Sequence, residues 1–502
     1  MPEKIAPGDC IPPFQKIAFA AGMNTEYVAT GLMTGVLWMP FFNIGLGLSP
    51  VVLGGILMAY RAWDAIIDPV MGNLSDNTRT PWGRRRPYLL VGAVISALLY
   101  PLFWNIPGGL GDTGRTLYLL VVGMLFFASF TMWSIPYYAM QLELTPSYDE
   151  RTRLTGWMTF FSKLSYLAGG WLLAFVILVG TLASGDPAAL EGRSAGLREI
   201  LAAIQPWLAA LAGNTPGEKP IVAGMRLVCW LIAVSIFCFG LLPALFVKER
   251  YYESEVRRQV RDPFWQSIKE SARCGPLWSL NVLVFFLLLG TMSVASLGQY
   301  VNFYYACQGD LVLGAVIAGW KGTVVVLVGV STIPLFIWLG ERWDKRRVVI
   351  LMLACSMFGH LLNIFLMTPS RPWLQIVSGV FESCSLSAVW LFLPSMKADV
   401  ADWDERHTGR RREGAINAFH YWFIKAALTL SMGIGGVALQ VSGFDAAFPV
   451  QSPETLGRMF VIYLGLPLVL WAVAMGAVWF YPLTRERFAV VRRELEARRG
   501  QI

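Results

Sequence analysis

The chain has 502 residues, of which 55% are hydrophobic and only 15% charged, against about 25% charge in a usual soluble domain. Its apolar residues gather in blocks of roughly 20 or more, the length at which a helix crosses ~30 Å of hydrocarbon. That sets aside a soluble globular enzyme, and the net charge of +8, which sits in a few short loops, is no footprint of nucleic-acid binding. The blocks are also too long and too continuous for the alternating strands of about ten residues that build a membrane barrel. The class that remains is an all-α polytopic membrane protein, since lipid leaves no backbone polar group unsatisfied except in a helix or a closed barrel.

The N-terminal stretch MPEKIAPGDCIPPFQK is polar and proline-rich. It lacks the basic-then-apolar pattern of a cleavable signal, so the first span is predicted to act as its own insertion signal. Six spans are predicted at residues 14–43, 50–74, 88–107, 115–144, 154–183 and 223–247. Six more follow at 277–306, 311–339, 348–367, 373–399, 415–442 and 456–481.

Positive charge alternates between the loops. One set holds Arg79, Arg84, Arg85 and Arg86, then Arg151 and Arg153, then the stretch from Lys248 to Arg273. It continues with Arg342, Lys345, Arg346 and Arg347, then Arg406, Arg410, Arg411 and Arg412, and ends in the tail from Arg485 to Arg499. The other set holds scattered positives such as Arg115, Arg193, Arg198, Lys219 and Arg371. The excess of Lys and Arg marks the cytoplasmic side, which places both termini inside.

The expected domains are a bundle over residues 1–248, a mixed-charge middle loop over 249–276, a second bundle over 277–481 and a tail over 482–502. The external loop 184–222 contains AALEGRSAGLREILAAIQPWLAALAG, the pattern of an amphipathic helix on the membrane or over the outer mouth, or of a tolerated surface insertion. The tail LTRERFAVVRRELEARRG reads as a basic cytoplasmic helix held near anionic headgroups. A repeat relates the halves: DPVMGNLSDNTRTPWGRRRP after span two and IPLFIWLGERWDKRRV after span eight share proline, apolar residues, glycine, an acid and an arginine cluster. Transporters are built from such repeats, and this turn resembles the conserved loop of the major facilitator superfamily.

Charges inside spans cost at least a few kcal/mol each and ask for a reason. Span two, LMAYRAWDAIIDPVMG, holds Arg61, Asp64 and Asp68 at spacings of three and four, on one helical face. Two carboxylates on one stripe suit Na⁺ through hard oxygen ligands or a shared proton, whereas an ion pair with Arg61 accounts for only one of them. Further intramembrane polar residues are Asn24, Glu26, Ser134, Lys163, Lys321, Glu382, His420 and Lys425, with Glu143 at the cytoplasmic end of span four as a gate or loop partner. The three histidines have no metal spacing, and His420 is read as a hydrogen-bonding residue. The seven cysteines form no C-x-x-C pair and read as small packing residues. Trp38, Trp63, Trp133, Tyr137, Tyr138 and Trp422 lie near the polar positions, where a sugar would offer C–H faces to stack and hydroxyls to bond.

RAWDAIIDPVMGNLSDNTRTPWGRRRP resembles the span-two motif of the glycoside–pentoside–hexuronide:cation symporters, the melibiose permease family. KADVADWDERHTGRRREGAINAF, joining spans ten and eleven, and DERTRLTGWM after span four resemble the same family. The resemblance covers nearly the whole chain apart from 184–222. It implies the major facilitator fold, about twelve helices in two six-helix bundles, and cation-coupled sugar or glycoside symport. It implies a cation site at Asp64, Asp68 and Thr131, and a linking role for Lys425 between cation and sugar. Asn24 or Glu26 falls near a span-one sugar-binding acid, and Tyr138 on an aromatic beside the sugar. Three positions depart from the pattern: Ser134 stands where the family has a sugar-binding acid, Thr159 where it has a span-five arginine with Lys163 one turn on, and Ile67 where it has an asparagine before the second cation acid. Galactoside specificity therefore does not carry over, and the loss of that asparagine weakens Na⁺ against H⁺.

The expectation is a monomeric twelve-span symporter in a bacterial cytoplasmic membrane, working by alternating access. Na⁺ or H⁺ would be held at Asp64 and Asp68, with no other metal or cofactor. Asn24, Glu26, Ser134, Tyr138 and Lys425 would serve the solute, and Arg61, Lys163 and Glu143 would serve coupling or gating. The partners expected are a small-molecule solute and membrane lipid. A carrier of an organic anion or drug, and a non-transporting solute sensor, are the rival readings. No nucleophile–base pair or nucleotide loop supports an enzyme.

Overall fold

The computed structural model describes residues 10–145, 148–185, 195–213, 218–249, 271–408, 413–448 and 450–499, and among these it is helical with no strand. The first unit, Met1–Gln259, contains α1 (Pro13–Glu26), α2 (Pro50–Asn77), α3 (Arg86–Trp104), α4 (Asp112–Glu143), α5 (Tyr148–Ala183), α6 (Ala195–Ala212) and α7 (Pro220–Phe246). The second, Val260–Ile502, contains α8 (Gly275–Tyr300), α9 (Leu311–Ser331), α10 (Ile333–Arg342), α11 (Lys345–Leu361), α12 (Ser378–Ser387), α13 (Leu393–Thr408), α14 (Glu413–Ser442), α15 (Pro453–Trp479) and α16 (Arg485–Arg499). The division falls inside the 249–276 stretch read as the middle loop, whose residues 250–270 lie outside the described ones, as do Arg193, Arg410, Arg411 and Arg412.

Among the described residues ten helices are long and apolar enough to cross a membrane. The first and tenth predicted spans are helical too, but each is broken. Span one runs from α1 into π-helical turns at Tyr27–Leu37 and Pro40–Gly45. Span ten starts as a 3₁₀ turn at Pro372–Val377, continues as α12, widens to a π-helix at Ala388–Phe392 and ends in α13. π-turns displace the ladder by one residue and concentrate at functional positions. Local chemistry sets where helices begin. Proline, whose missing N–H costs nothing in a first turn, opens α1, α2, α3, α7, α8 and α15. Asp310, Asp344 and Ser452 cap α9, α11 and α15 through their side-chain oxygens.

In the first unit α3 packs on α4 and α7, α1 and α5 pack on α7, and α2 lies on α4. Small residues allow these approaches, as expected where lipid supplies no hydrophobic drive between helices. A Cβ on Gly92 would stand 2.8 Å from the Trp133 backbone nitrogen, and the Ser96 and Ser129 hydroxyls meet at 2.9 Å across the same crossing. In the second unit α8 packs on α14 and α15, and α12 on α9 and α11.

The Gly-Arg-Arg-Arg turn shows why it has its sequence. Gly83 has φ +108°, a conformation open to glycine. Beyond it, the Glu249 carboxylate accepts from the backbone N–H groups of Arg84 (3.0 Å), Arg85 (2.8 Å) and Arg86 (3.1 Å). Arg86 in return donates to the carbonyls of Ala244 (2.6 Å) and Leu245 (3.0 Å) at the end of α7. An anion thus sits on the N-terminus of α3 and a cation on the C-terminus of α7, each complementing a helix dipole. Glu249→Ala removes three charge-assisted bonds and should lower stability by about 2–3 kcal/mol, read as a fall in the thermal midpoint in detergent. An unchanged midpoint would show that the clamp does not hold the turn.

Within the 184–222 stretch α6 is helical; it packs on α5 and α7 and leaves Ile200, Ile204, Trp207 and Leu211 exposed. The basic tail is helical as α16 but docks on the protein. Arg406 of α13 pairs with Glu494 at 2.6 Å, and the Arg485 N–H donates to Asp344 at 3.2 Å.

Candidate cation and solute site

Arg61, Asp64 and Asp68 occupy one stripe of α2. The Arg61 guanidinium lies 3.4 Å from Asp64 Oδ2, with 28% and 14% of the two side chains exposed. The buried Thr131 hydroxyl of α4 lies at 3.5 Å from Asp68 Oδ1, the donor side of a long hydrogen bond. Glu26 closes the group from α1. Its carboxyl senses the charges of Arg61, Asp64 and Asp68, and its Oε2 is shut off from solvent with no hydrogen-bond partner among the described residues. Glu26 is the last residue before the π-helical turns of span one. The unit therefore gathers three carboxyl groups and one guanidinium within its helices.

The remaining candidates sort by what they touch. Asn24 spends both ends of its amide on packing, donating to Ser235 Oγ (2.9 Å) and accepting from Ser165 Oγ (2.9 Å), so it ties α1 to α5 and α7. Trp133 donates to the Gly240 carbonyl and Tyr137 to that of Phe19. Tyr137 stacks between Phe19 at 4.4 Å and Trp133 at 4.6 Å. Trp63 donates to the Met124 carbonyl. These aromatics work in helix packing rather than on an open face. Tyr138 is exposed and meets Tyr137 edge-on at 5.5 Å, and Ser134 is half-buried one turn before it. Lys163 is exposed on α5, one turn beyond Thr159, whose hydroxyl donates to the Thr155 carbonyl. Glu143 ends α4, but its side chain lies outside the described residues. Lys425 belongs to the second unit, exposed on α14 with its carbonyl accepting from Thr429. His420 meets Asn281 Oδ1 at 2.7 Å, the hydrogen-bonding role expected of it.

Sequence reasoning left two pairings unseen. Lys321 of α9 and Glu382 of α12 form an ion pair at 2.7 Å. Both stood out as intramembrane charges, yet 61 residues separate them and nothing in either motif joins them. The Glu249 clamp had a visible signal: an acid just beyond span six, facing a turn of three consecutive arginines.

A family model described as MFS/sugar transport protein matches residues 18–485. The chain is 27% identical to the uncharacterized symporter sll1374 of Synechocystis, over 96% of each chain. It is 23% identical to the sodium-dependent lysophosphatidylcholine symporter 1-A of Danio rerio, over 94% of this chain and 86% of that one. It is also 23% identical to the putative glycoside/cation symporter YagG of Escherichia coli, over 91% and 89%. Among solved structures it is similar to a D-xylose-proton symporter, with TM-score 0.55 and 14% identity over 93% of this chain and 96% of that one, a likeness of fold alone. With the family model matched along almost its whole length, and with the motif resemblance borne out, this multi-pass membrane protein belongs to the MFS/sugar transport protein family.

Proposed function

We propose that the protein is a cation-coupled symporter of a sugar or glycoside, with Asp64, Asp68 and Thr131 as ligands for Na⁺ or H⁺. The observation that carries this reading is the grouping of Glu26, Asp64 and Asp68 around the single guanidinium of Arg61. Three carboxyl groups brought together inside a span, one of them beside Arg61, offer hard oxygen ligands to a cation or a place for a shared proton. The group changes charge when its cation leaves, and an ion that binds one transport conformation better than the other drives alternating access. On this reading Tyr138 and Lys163, which are exposed, and Ser134, which is half-buried, serve the solute; Lys425, exposed on α14, is assigned a solute role by the family resemblance alone. Both termini are taken as cytoplasmic on the placement of the Lys and Arg loops, and the likeness to an Escherichia coli symporter supports a bacterial inner membrane. The family description and the glycoside/cation relative support a sugar. The lysophosphatidylcholine symporter relative supports a second reading, an amphiphilic non-sugar solute.

The deciding experiment is uptake of labelled D-xylose, methyl β-D-glucopyranoside and D-glucuronate into proteoliposomes, with Na⁺ and H⁺ gradients imposed separately. Accumulation under one gradient is expected. No accumulation under either, in sealed vesicles holding folded protein, moves the reading to a non-sugar solute.

Glu26 is proposed to act on the cation rather than the solute. Glu26→Gln should weaken the half-saturating cation concentration about tenfold, the worth of ~1.4 kcal/mol of charge interaction, with solute selectivity unchanged. A shift in solute KM with the cation response intact would return Glu26 to the solute.

A further inference from the structure

The second unit carries a charged site of its own. Lys321 lies midway along the 21-residue α9, inside an apolar span. Its ammonium meets Glu382 Oε1 at 2.7 Å, and the Ser378 hydroxyl donates to the same oxygen at 3.2 Å. Neither side chain is sealed: 19% of Lys321 and 15% of Glu382 remain exposed. Glu382 rides on α12, the short helix between the 3₁₀ and π-helical breaks of span ten. A Cβ on Gly379 would stand 3.3 Å from Lys321 Cγ, so α9 and α12 touch at the pair. His360 of α11 is buried within electrostatic reach of both charges. Its Nε2 faces the Tyr463 carbonyl at 2.9 Å, and its Nδ1 has no partner among the described residues. Asn363 donates to the Tyr463 hydroxyl at 3.2 Å.

A structural staple is a poor account of this pair. Lys345 and Asp399 staple the same unit at 2.7 Å, but Lys345 is the first residue of α11, at a span's edge. A mid-span pair gives up far more hydration, and well-packed apolar residues usually hold helices together as well or better. Charges kept at mid-span mark solute or ion pathways, and broken helices carry the binding residues in transporters.

We propose that Lys321 and Glu382 form a hydroxyl-binding subsite for a neutral sugar. The Glu382 carboxylate accepts from one hydroxyl of a vicinal diol and the Lys321 ammonium donates to its neighbour. The pair has no net charge, so an anionic solute would bring an uncompensated charge into the span, whereas a diol brings only donors and acceptors. This subsite rests on the sugar reading above.

The test uses full-length protein in proteoliposomes with D-xylose, methyl β-D-glucopyranoside and D-glucuronate as probes. The double variant K321Q/E382Q leaves no lone buried charge, and E382D keeps the charge but withdraws it by one methylene. K345Q/D399N is the staple control. We expect K321Q/E382Q to raise KM for the neutral sugar at least tenfold and E382D to raise it less. The half-saturating cation concentration should hold, and K345Q/D399N should leave KM unchanged. Deleting the recognised hydroxyl should weaken a deoxy-sugar for the wild type and not for K321Q/E382Q. Unchanged KM in both Lys321–Glu382 variants overturns the subsite, as does equal loss in the staple control. Wild-type uptake of D-glucuronate alone overturns the neutral-diol subsite and leaves symport standing. Wild-type protein that accumulates none of the probes overturns the sugar reading, and the subsite with it.

Discussion

Replacing Asp64 with Asn should abolish gradient-driven accumulation of solute, lowering it about 100-fold, toward the top of the range for coupling between two ligand sites. In α2, Arg61 at 3.4 Å already partly balances Asp64. Glu26 lies within electrostatic reach of Arg61, Asp64 and Asp68. Asp64→Asn removes one of three carboxyls and frees Arg61 to neutralise another. The remaining group has lost a carboxylate ligand and part of its attraction for a cation. Solute exchange between equal concentrations requires no net cation movement, so it should survive. Asp68→Asn should behave likewise, while Thr131→Val, which removes one long contact at 3.5 Å, should cost only about tenfold in cation affinity, the worth of roughly 1.4 kcal/mol. The measurement is paired: accumulation under an imposed gradient and counterflow without one. Accumulation retained in both Asp variants would remove the cation site from α2. Loss of counterflow together with accumulation would place the acids on the solute instead.

The helix pattern was legible because a span is written twice, as an apolar block and as the polar turn that bounds it. The prediction of residues 50–74 met α2 at Pro50–Asn77, and 223–247 met α7 at Pro220–Phe246. The internal breaks of spans one and ten were not legible. A π-turn changes which residues share a face, not how apolar they are, and TEYVATGLMTGVL has no proline or paired glycine to announce it. The Arg61, Asp64 and Asp68 stripe was legible because helical periodicity alone puts those residues together. The fourth member, Glu26, was visible as a charge, but its approach to α2 depends on how α1 packs, which one sequence does not contain. Asn24, two residues earlier, had the same polarity, and only its contacts with Ser165 and Ser235 separate a packing residue from a site residue. The same limit hid the Lys321–Glu382 pair, since charges on different spans give no local sign of pairing.

The largest structural effect is expected at the crossing of α5 and α7. A Cβ on Gly180 would lie 1.6 Å from the Pro220 carbonyl oxygen, and one on Gly224 would lie 1.9 Å from that of Val176. The obstacle in both cases is backbone, which cannot rotate away as a side chain does. Gly224→Ala must therefore part the helices, loosening the α1 and α3 contacts that α7 also makes. Overpacking typically costs about 1–3 kcal/mol and occasionally more, and this geometry belongs at the upper end. Gly55→Ala on α2 is the control, because nothing lies within 4 Å of its added methyl, and removing a helical glycine there should stabilise by roughly 0.5–1 kcal/mol. The two crossing variants should also be non-additive, because one displacement relieves both clashes and contacting positions couple. Thermal unfolding in detergent, with the folded fraction read by size exclusion, checks all four proteins. Gly224→Ala melting with the wild type would mean that the α5–α7 backbones are not in contact. Additive losses in Gly180→Ala/Gly224→Ala would mean that the two glycines relieve separate clashes rather than one crossing.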